Sequence, residues 1–175
     1  MLSNLRNVQL LLVVASLMMF FACLRKQAAN KNADPPAPVR THFTTDDTAK
    51  LRWIEGTWRG TGDVEAPFFE RYHFENDSTL VVETFDNDKV DKVTDSTRFE
   101  LKDGQFGNGG NDSRWVATII DDNSITFEPV AKARNSFRWQ RASKDLWQAI
   151  LTWPAADKKP ARQRVYRMER WLPAK

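Results

Sequence analysis

Residues 68–85 read FFERYHFENDSTLVVETF. Side chains along Phe68–Glu75 alternate in character, with Phe68, Glu70, Tyr72 and Phe74 on one face. Asn76-Asp77 supplies a turn, and Thr79–Phe85 follows with Leu, Val and Thr. Period-two alternation interrupted by a two-residue turn signal predicts an antiparallel hairpin. The same pattern extends outward in both directions. Thr57–Gly62 precedes the hairpin. Val93–Leu101, a short Gln105–Asn108, Arg114–Ile120, Ser124–Glu128, Ser136–Arg141, Leu146–Trp153 and Gln163–Trp171 follow it, each rich in β-branched and aromatic residues. Ahead of the first strand, Asp46–Ile54 has an Asp or Thr cap, apolar Leu51 and Ile54, and a stop at Gly56, which predicts a helix of two turns at most. Short strands in series with hairpin-length connections make an antiparallel meander, and closing the meander removes two exposed edges. The expected fold is therefore all-β: an antiparallel up-and-down barrel of about 8–10 strands with a short N-terminal helix, wide enough for a small ligand.

Composition agrees with one globular domain. The chain has 175 residues, 41% hydrophobic and 28% charged, too few for two ordinary domains. One Cys excludes an internal disulfide, and with two His it leaves little for a metal site. The formal charge of +3 is not spread evenly. Arg6 carries one positive charge in the first segment. Arg25, Lys26, Lys31 and Arg40 outweigh Asp34 in the second, and from Asp46 onward acids exceed bases by one. Nucleic acid is not an expected partner, because the basic excess lies ahead of the domain.

Arg6 followed by the apolar run Val8–Ala22 and then Cys23 has the layout of a secretory signal peptide, and is short for a membrane span. Phe20-Phe21-Ala22-Cys23 resembles a bacterial lipobox, which implies cleavage before Cys23 and its lipidation. Residues 24–45, with three Pro among Ala, Asn and Lys, read as a spacer with little to bury. The expected organisation is a signal peptide over 1–22, lipidated Cys23 with a flexible linker to 45, and a barrel domain over 46–175. Its expected place is the bacterial cell envelope, anchored by lipid to the outer membrane, so the membrane itself is a partner.

Trp53-Ile54-Glu55-Gly56-Thr57-Trp58-Arg59-Gly60 resembles the opening of lipocalin-like, or calycin, domains, and Arg167-Met168-Glu169-Arg170-Trp171 resembles their last strand. The resemblance covers Leu51–Trp171 and is closest to small bacterial lipocalin-like families of uncharacterised function. It implies that Arg170 returns across Trp58 and closes the barrel's base by a cation–π contact. The late His of nitrobindin-type barrels has no counterpart, since no His follows His73, and no haem or other cofactor is expected.

Alternation groups Arg164, Tyr166, Met168 and Arg170 on one face, and Phe137, Trp139 and Arg141 on one face of an earlier strand. If Arg170 points inward, Arg164 and Tyr166 follow. The candidate ligand-binding residues are thus Tyr72, Trp139, Arg141, Trp147, Arg164 and Tyr166, a set that suits a small apolar ligand, with an anionic head read by Arg. The competing reading leaves these arginines solvated on the outer face or pairs them with interior Glu70, Glu83 or Glu100, and the alternative function is a barrel with a filled core that serves as a structural or protein-interaction module. His73 near Glu70, Asp77 or Glu83 could form an acid–base pair, but nothing resembles a nucleophile elbow or a phosphate loop, and no catalytic residue is assigned. Asp86, Asp88, Asp91 and Asp95 lack the spacing of a calcium loop, so no metal site is assigned.

Overall fold

Ten strands follow one another around a single closed sheet: β1 Gly56–Thr61, β2 Phe68–Asn76, β3 Thr79–Phe85, β4 Val93–Lys102, β5 Gln105–Asn108, β6 Arg114–Ile120, β7 Ser124–Ala131, β8 Ser136–Ser143, β9 Leu146–Trp153 and β10 Arg162–Arg170. Each pairs antiparallel with the next, and β10 pairs back onto β1, with Trp58 opposite Arg170 and Gly60 opposite Met168. In this computed structural model the described residues are 42–63, 65–109, 114–156 and 159–173. The expected signal peptide, Cys23 and the expected linker up to residue 41 lie outside them. The all-β up-and-down barrel with its short helix is the architecture that the strand pattern predicts.

The helical segment is broken where one piece was expected. Helix α1 covers Thr45–Ala49, and a separate 3₁₀ turn covers Arg52–Ile54. Thr44 is the cap, its backbone N–H donating to Asp47 Oδ2 at 3.0 Å. Phe43 is buried and donates its backbone N–H to Gly104 O at 2.7 Å, so the packed unit takes in residues that the sequence places in the linker. From there the segment crosses one end of the barrel. Thr48 Oγ1 reaches Asp77 O at 2.6 Å, Arg52 pairs with Asp77 at 2.9 Å, and Leu51 and Ile54 drop into the core.

That end, the base, carries the short turns: residues 77–78, 103–104, 121–123 and 144–145. Asp103 and Gly104 both have positive φ (51° and 76°), the geometry of a two-residue turn whose twist matches the flanking strands. The other end, the mouth, carries longer connections over 62–67, 86–92, 109–113, 132–135 and 154–161. The 86–92 loop folds over the outer wall. Val90 packs there with Phe69, Phe85 and Trp171, and Trp171 Nε1 donates to Asp88 O at 2.8 Å. This acidic stretch is organised as a cover for an apolar patch. Among the described residues, no group of three or more His, Cys, Asp or Glu is placed to hold a metal ion.

Inside, the base is filled with aromatic rings. Trp147 is fully buried, with ring centroids of Trp53, Trp58, Tyr72 and Trp139 at 6.3, 6.0, 5.5 and 5.9 Å, all edge-to-face. Such pairs add about 0.5–1.5 kcal/mol each beyond the area they bury. Arg170 lies over Trp58, 3.8 Å from the ring centroid, and donates to Glu55 O at 2.5 Å and to Lys144 O at 3.2 Å. Gly56 makes room for it. With φ at 123° and Arg170 Nη1 only 1.9 Å from where a Cβ would stand, no other residue fits that corner.

Candidate functional site

Packing changes halfway up the barrel. Above the tryptophans, the inward side chains of β2, β4, β8, β9 and β10 no longer meet, and a cavity of about 300 Å³ remains. Its wall is mostly aromatic and aliphatic: Phe68, Tyr72, Val82, Phe99, Trp115, Phe137, Trp139, Ala149, Leu151, Tyr166 and Met168. Phe68, Trp115, Phe137 and Tyr166 are only half-buried, although all of them sit on inward faces, because the surface they retain is turned to this space. Phe68 and Tyr166 meet edge-to-face at 5.4 Å, as do Phe99 and Trp139 at 5.3 Å, so the wall is braced by contacts within itself.

Four polar side chains interrupt the apolar lining besides Tyr166: Glu70, Tyr72, Thr97 and Asn108. Asn108 is occupied, its Oδ1 accepting the backbone N–H of Trp115 at 2.8 Å. Glu70 is placed by β2 pairing, between Trp58 on β1 and Thr84 on β3. Tyr72 Oη donates to Glu70 Oε2 at 2.6 Å. Among the described residues, no Lys, Arg or His pairs with Glu70. Burial pushes its carboxyl above the ordinary value, and the Tyr72 hydrogen bond opposes that only in part. Burial, followed by the neighbouring Glu70, pushes the Tyr72 phenol well above its own ordinary value. The pair is therefore a carboxyl without a counter-ion beside a phenol that stays protonated.

The structure sorts the sequence-predicted site residues by height in the barrel. Tyr72, Trp139 and Tyr166 line the cavity. Trp147 does not, being sealed in the aromatic base below it. Arg141 also stands at the base, opposite Trp147 in the β8–β9 register, with Nε donating to Ser143 O at 3.4 Å. Arg164 is carried above the cavity to the rim, where its side chain is 44% exposed and pairs with Glu65 of the 62–67 loop at 2.5 Å. Its Nη1 also donates to Tyr166 Oη at 3.1 Å. The guanidinium expected inside the pocket is thus a rim group with its own carboxylate partner. Of the three glutamates considered as interior partners, only Glu70 faces inward; Glu83 pairs with Arg71 and Glu100 with Arg98 on the outer surface. His73 alternates outward from Glu70, which removes that pairing, and Glu83, on the same outer face, is taken up by Arg71.

Several wall residues were not singled out from sequence, among them Phe137, Trp115, Leu151 and Asn108. Their signal was present only as alternation, which Phe137 and Leu151 share with many core residues. A larger depression of about 750 Å³ lies outside the barrel, lined by Pro129, Arg134, Trp153, Pro154, Pro160 and Arg162 among others. It is formed mostly by the loops of the mouth.

No known family matches the chain, and no curated protein does. Among solved structures, that of EF1p2_mFAP2b bound to DFHBI is similar at 11% identity, with a TM-score of 0.35 over 70% of this chain and 98% of that chain. So slight a likeness bears on neither the ligand nor the residues that would hold it.

Proposed function

We propose that this chain is a lipid-anchored envelope protein of the lipocalin-like kind, whose barrel binds a small, largely apolar ligand in the mouth half and catalyses no reaction. One observation carries the reading. A space of about 300 Å³, walled by aromatic rings and interrupted by one carboxyl with no cation beside it among the described residues, stands inside a barrel whose other half is filled by tryptophans. Ligand sites have this construction, an apolar wall with a few placed polar groups, and begin at about this volume.

Anchoring rests on the sequence: the apolar run ending at Cys23 and the basic, proline-containing spacer after it. A spacer of this composition would hold the domain off the bilayer while leaving its mouth accessible. The alternative, a filled barrel acting only as an interaction module, draws its support from the aromatic base. An anionic ligand head would have to displace Glu65 from Arg164 at the rim.

Trp115 and Trp139 line the cavity, so ligand entry should alter intrinsic fluorescence. Native mass spectrometry of the full-length protein taken from its host's membranes should show a bound apolar molecule. Ala149→Phe, which fills the cavity from β9, should abolish both signals while leaving the far-ultraviolet spectrum unchanged. A wild-type protein that carries nothing, and whose fluorescence no apolar probe shifts, would favour the filled-barrel reading. Release of the protein from membranes by Cys23→Ser tests the anchor.

A further inference from the structure

The group inside the cavity that lacks a complement is Glu70. The Glu70 carboxyl, beside Trp58 and Tyr72 in the aromatic wall, is half-buried, and a single phenolic donor at 2.6 Å satisfies one of its oxygens. Several acids elsewhere in the molecule stand beside a cation. Glu65 meets Arg164, Glu75 meets Arg98, Glu83 meets Arg71, and Asp47 meets Lys50. A carboxyl partly withdrawn from water, with no cation beside it among the described residues, is costly to ionise, and a cationic ligand group would offset that cost. The surroundings favour the same complement. Phe68, Phe99, Trp139 and Tyr166 expose ring surface to the cavity, and ring faces attract cations as carboxylates do.

Resting on the reading of the cavity as a ligand site, we propose that its ligand carries a cationic nitrogen, a protonated amine seated against Glu70, with its apolar remainder along the aromatic wall. Tyr72 then fixes the carboxylate rather than the ligand, because its hydroxyl is already donated to Glu70 Oε2. The free oxygen of Glu70 is the acceptor for the ammonium. At the rim the Arg164 guanidinium is matched by the Glu65 carboxylate.

The test compares three probes of one chain length and different heads, octylamine, octanol and octanoate, titrated into the full-length protein at neutral pH and followed by tryptophan fluorescence. Octylamine should bind at least about tenfold more tightly than octanoate, with octanol between them, a ratio equivalent to about 1.4 kcal/mol. Glu70→Gln keeps an acceptor for Tyr72 and should bring the amine to within about twofold of octanol while leaving octanol itself unaffected. Glu65→Gln, the rim control, should leave the amine preference intact. Octanoate binding as tightly as octylamine, or an amine preference that survives Glu70→Gln, overturns the proposal, and so does a preference lost in Glu65→Gln. If octanol binds while the amine shows no advantage, the cavity reading stands and only the cationic head falls. If none of the three binds, both fall. Should Glu70→Gln fail to fold, the wild-type ranking and the Glu65→Gln control still decide.

Discussion

The base and the mouth of this barrel are made by the same ten strands and have opposite construction. At the base the turns have two or three residues, the N-terminal segment lies across the opening, and Trp53, Trp58, Trp139 and Trp147 leave no room between them. At the mouth the connections are longer, the aromatic rings brace one another around an open space, and a carboxyl has no counter-ion among the described residues. A domain is marginally stable as a whole, so empty space and an unpaired acid at one end require surplus packing at the other. The difference indicates a division of labour along the barrel axis: closure and stability below, recognition above.

Substitutions can break or sharpen this contrast. Trp147→Ala empties the centre of the base and should cost about 3–5 kcal/mol, read as a lower midpoint in urea. The matching truncation at the mouth, Phe137→Ala, should cost less than half as much, since that ring already borders empty space. Equal costs for the two would dissolve the distinction. Gly56→Ala should cost about 2 kcal/mol, from the positive φ and from displacing Arg170 off Trp58, and its thermal midpoint should drop accordingly. If it melts with the wild type, Arg170 is not what closes the base.

The smallest effect comes from Glu70 and depends on pH. Folding raises the pKa of this carboxyl, so the native state holds its proton more tightly than the unfolded chain does. Below the unfolded value, near 4.5, Glu70 is protonated in both states and costs nothing. As the pH climbs from there through the folded value, stability is lost, and the loss is complete above it. Glu70→Gln should therefore match the wild type in acid and be the more stable of the two at neutral pH, as measured by urea midpoints at the two pH values. Tyr72, whose phenol is pushed upward by burial and by Glu70, stays neutral across that window, and Arg164, raised by its bond to Tyr166, stays charged. A variant less stable than the wild type at neutral pH would reverse the assignment.

Much of the fold was legible because alternation and turn chemistry are local. Thr79–Phe85, Gln105–Asn108, Arg114–Ile120 and Leu146–Trp153 have the limits that their sequence predicts. β7 runs on to Ala131, past Pro129, which reads as a strand end but sits beside a register shift opposite Trp115, where its missing N–H is tolerated. The site was half legible, for one reason. Period two reveals which side of the sheet a residue faces but not how far along the barrel it stands. Tyr72, Trp139 and Tyr166 were placed on the inner face and fall within the cavity. Trp147 and Arg141 stand too low and Arg164 too high. Height depends on pairing all ten strands in register, a long-range property. Glu70, the most distinctive group in the cavity, was visible as an acid between Phe68 and Tyr72, but its lack of a cation appears only in three dimensions.

The seam between β1 and β10 also sets an order of events. Arg170 and Glu55, which it bonds, are 115 residues apart in the chain, and joining ends so distant costs roughly 4 kcal/mol of loop entropy before any contact compensates. Every other strand pair is a local hairpin that can form as soon as its second strand exists. The first strand must wait for the last, with Trp58 exposed and one sheet edge open to other chains in the meantime. A chain truncated before Arg162 would keep eight of its hairpin pairings and still never close. Refolding should accordingly end in one slow step, and premature aggregation should begin from β1.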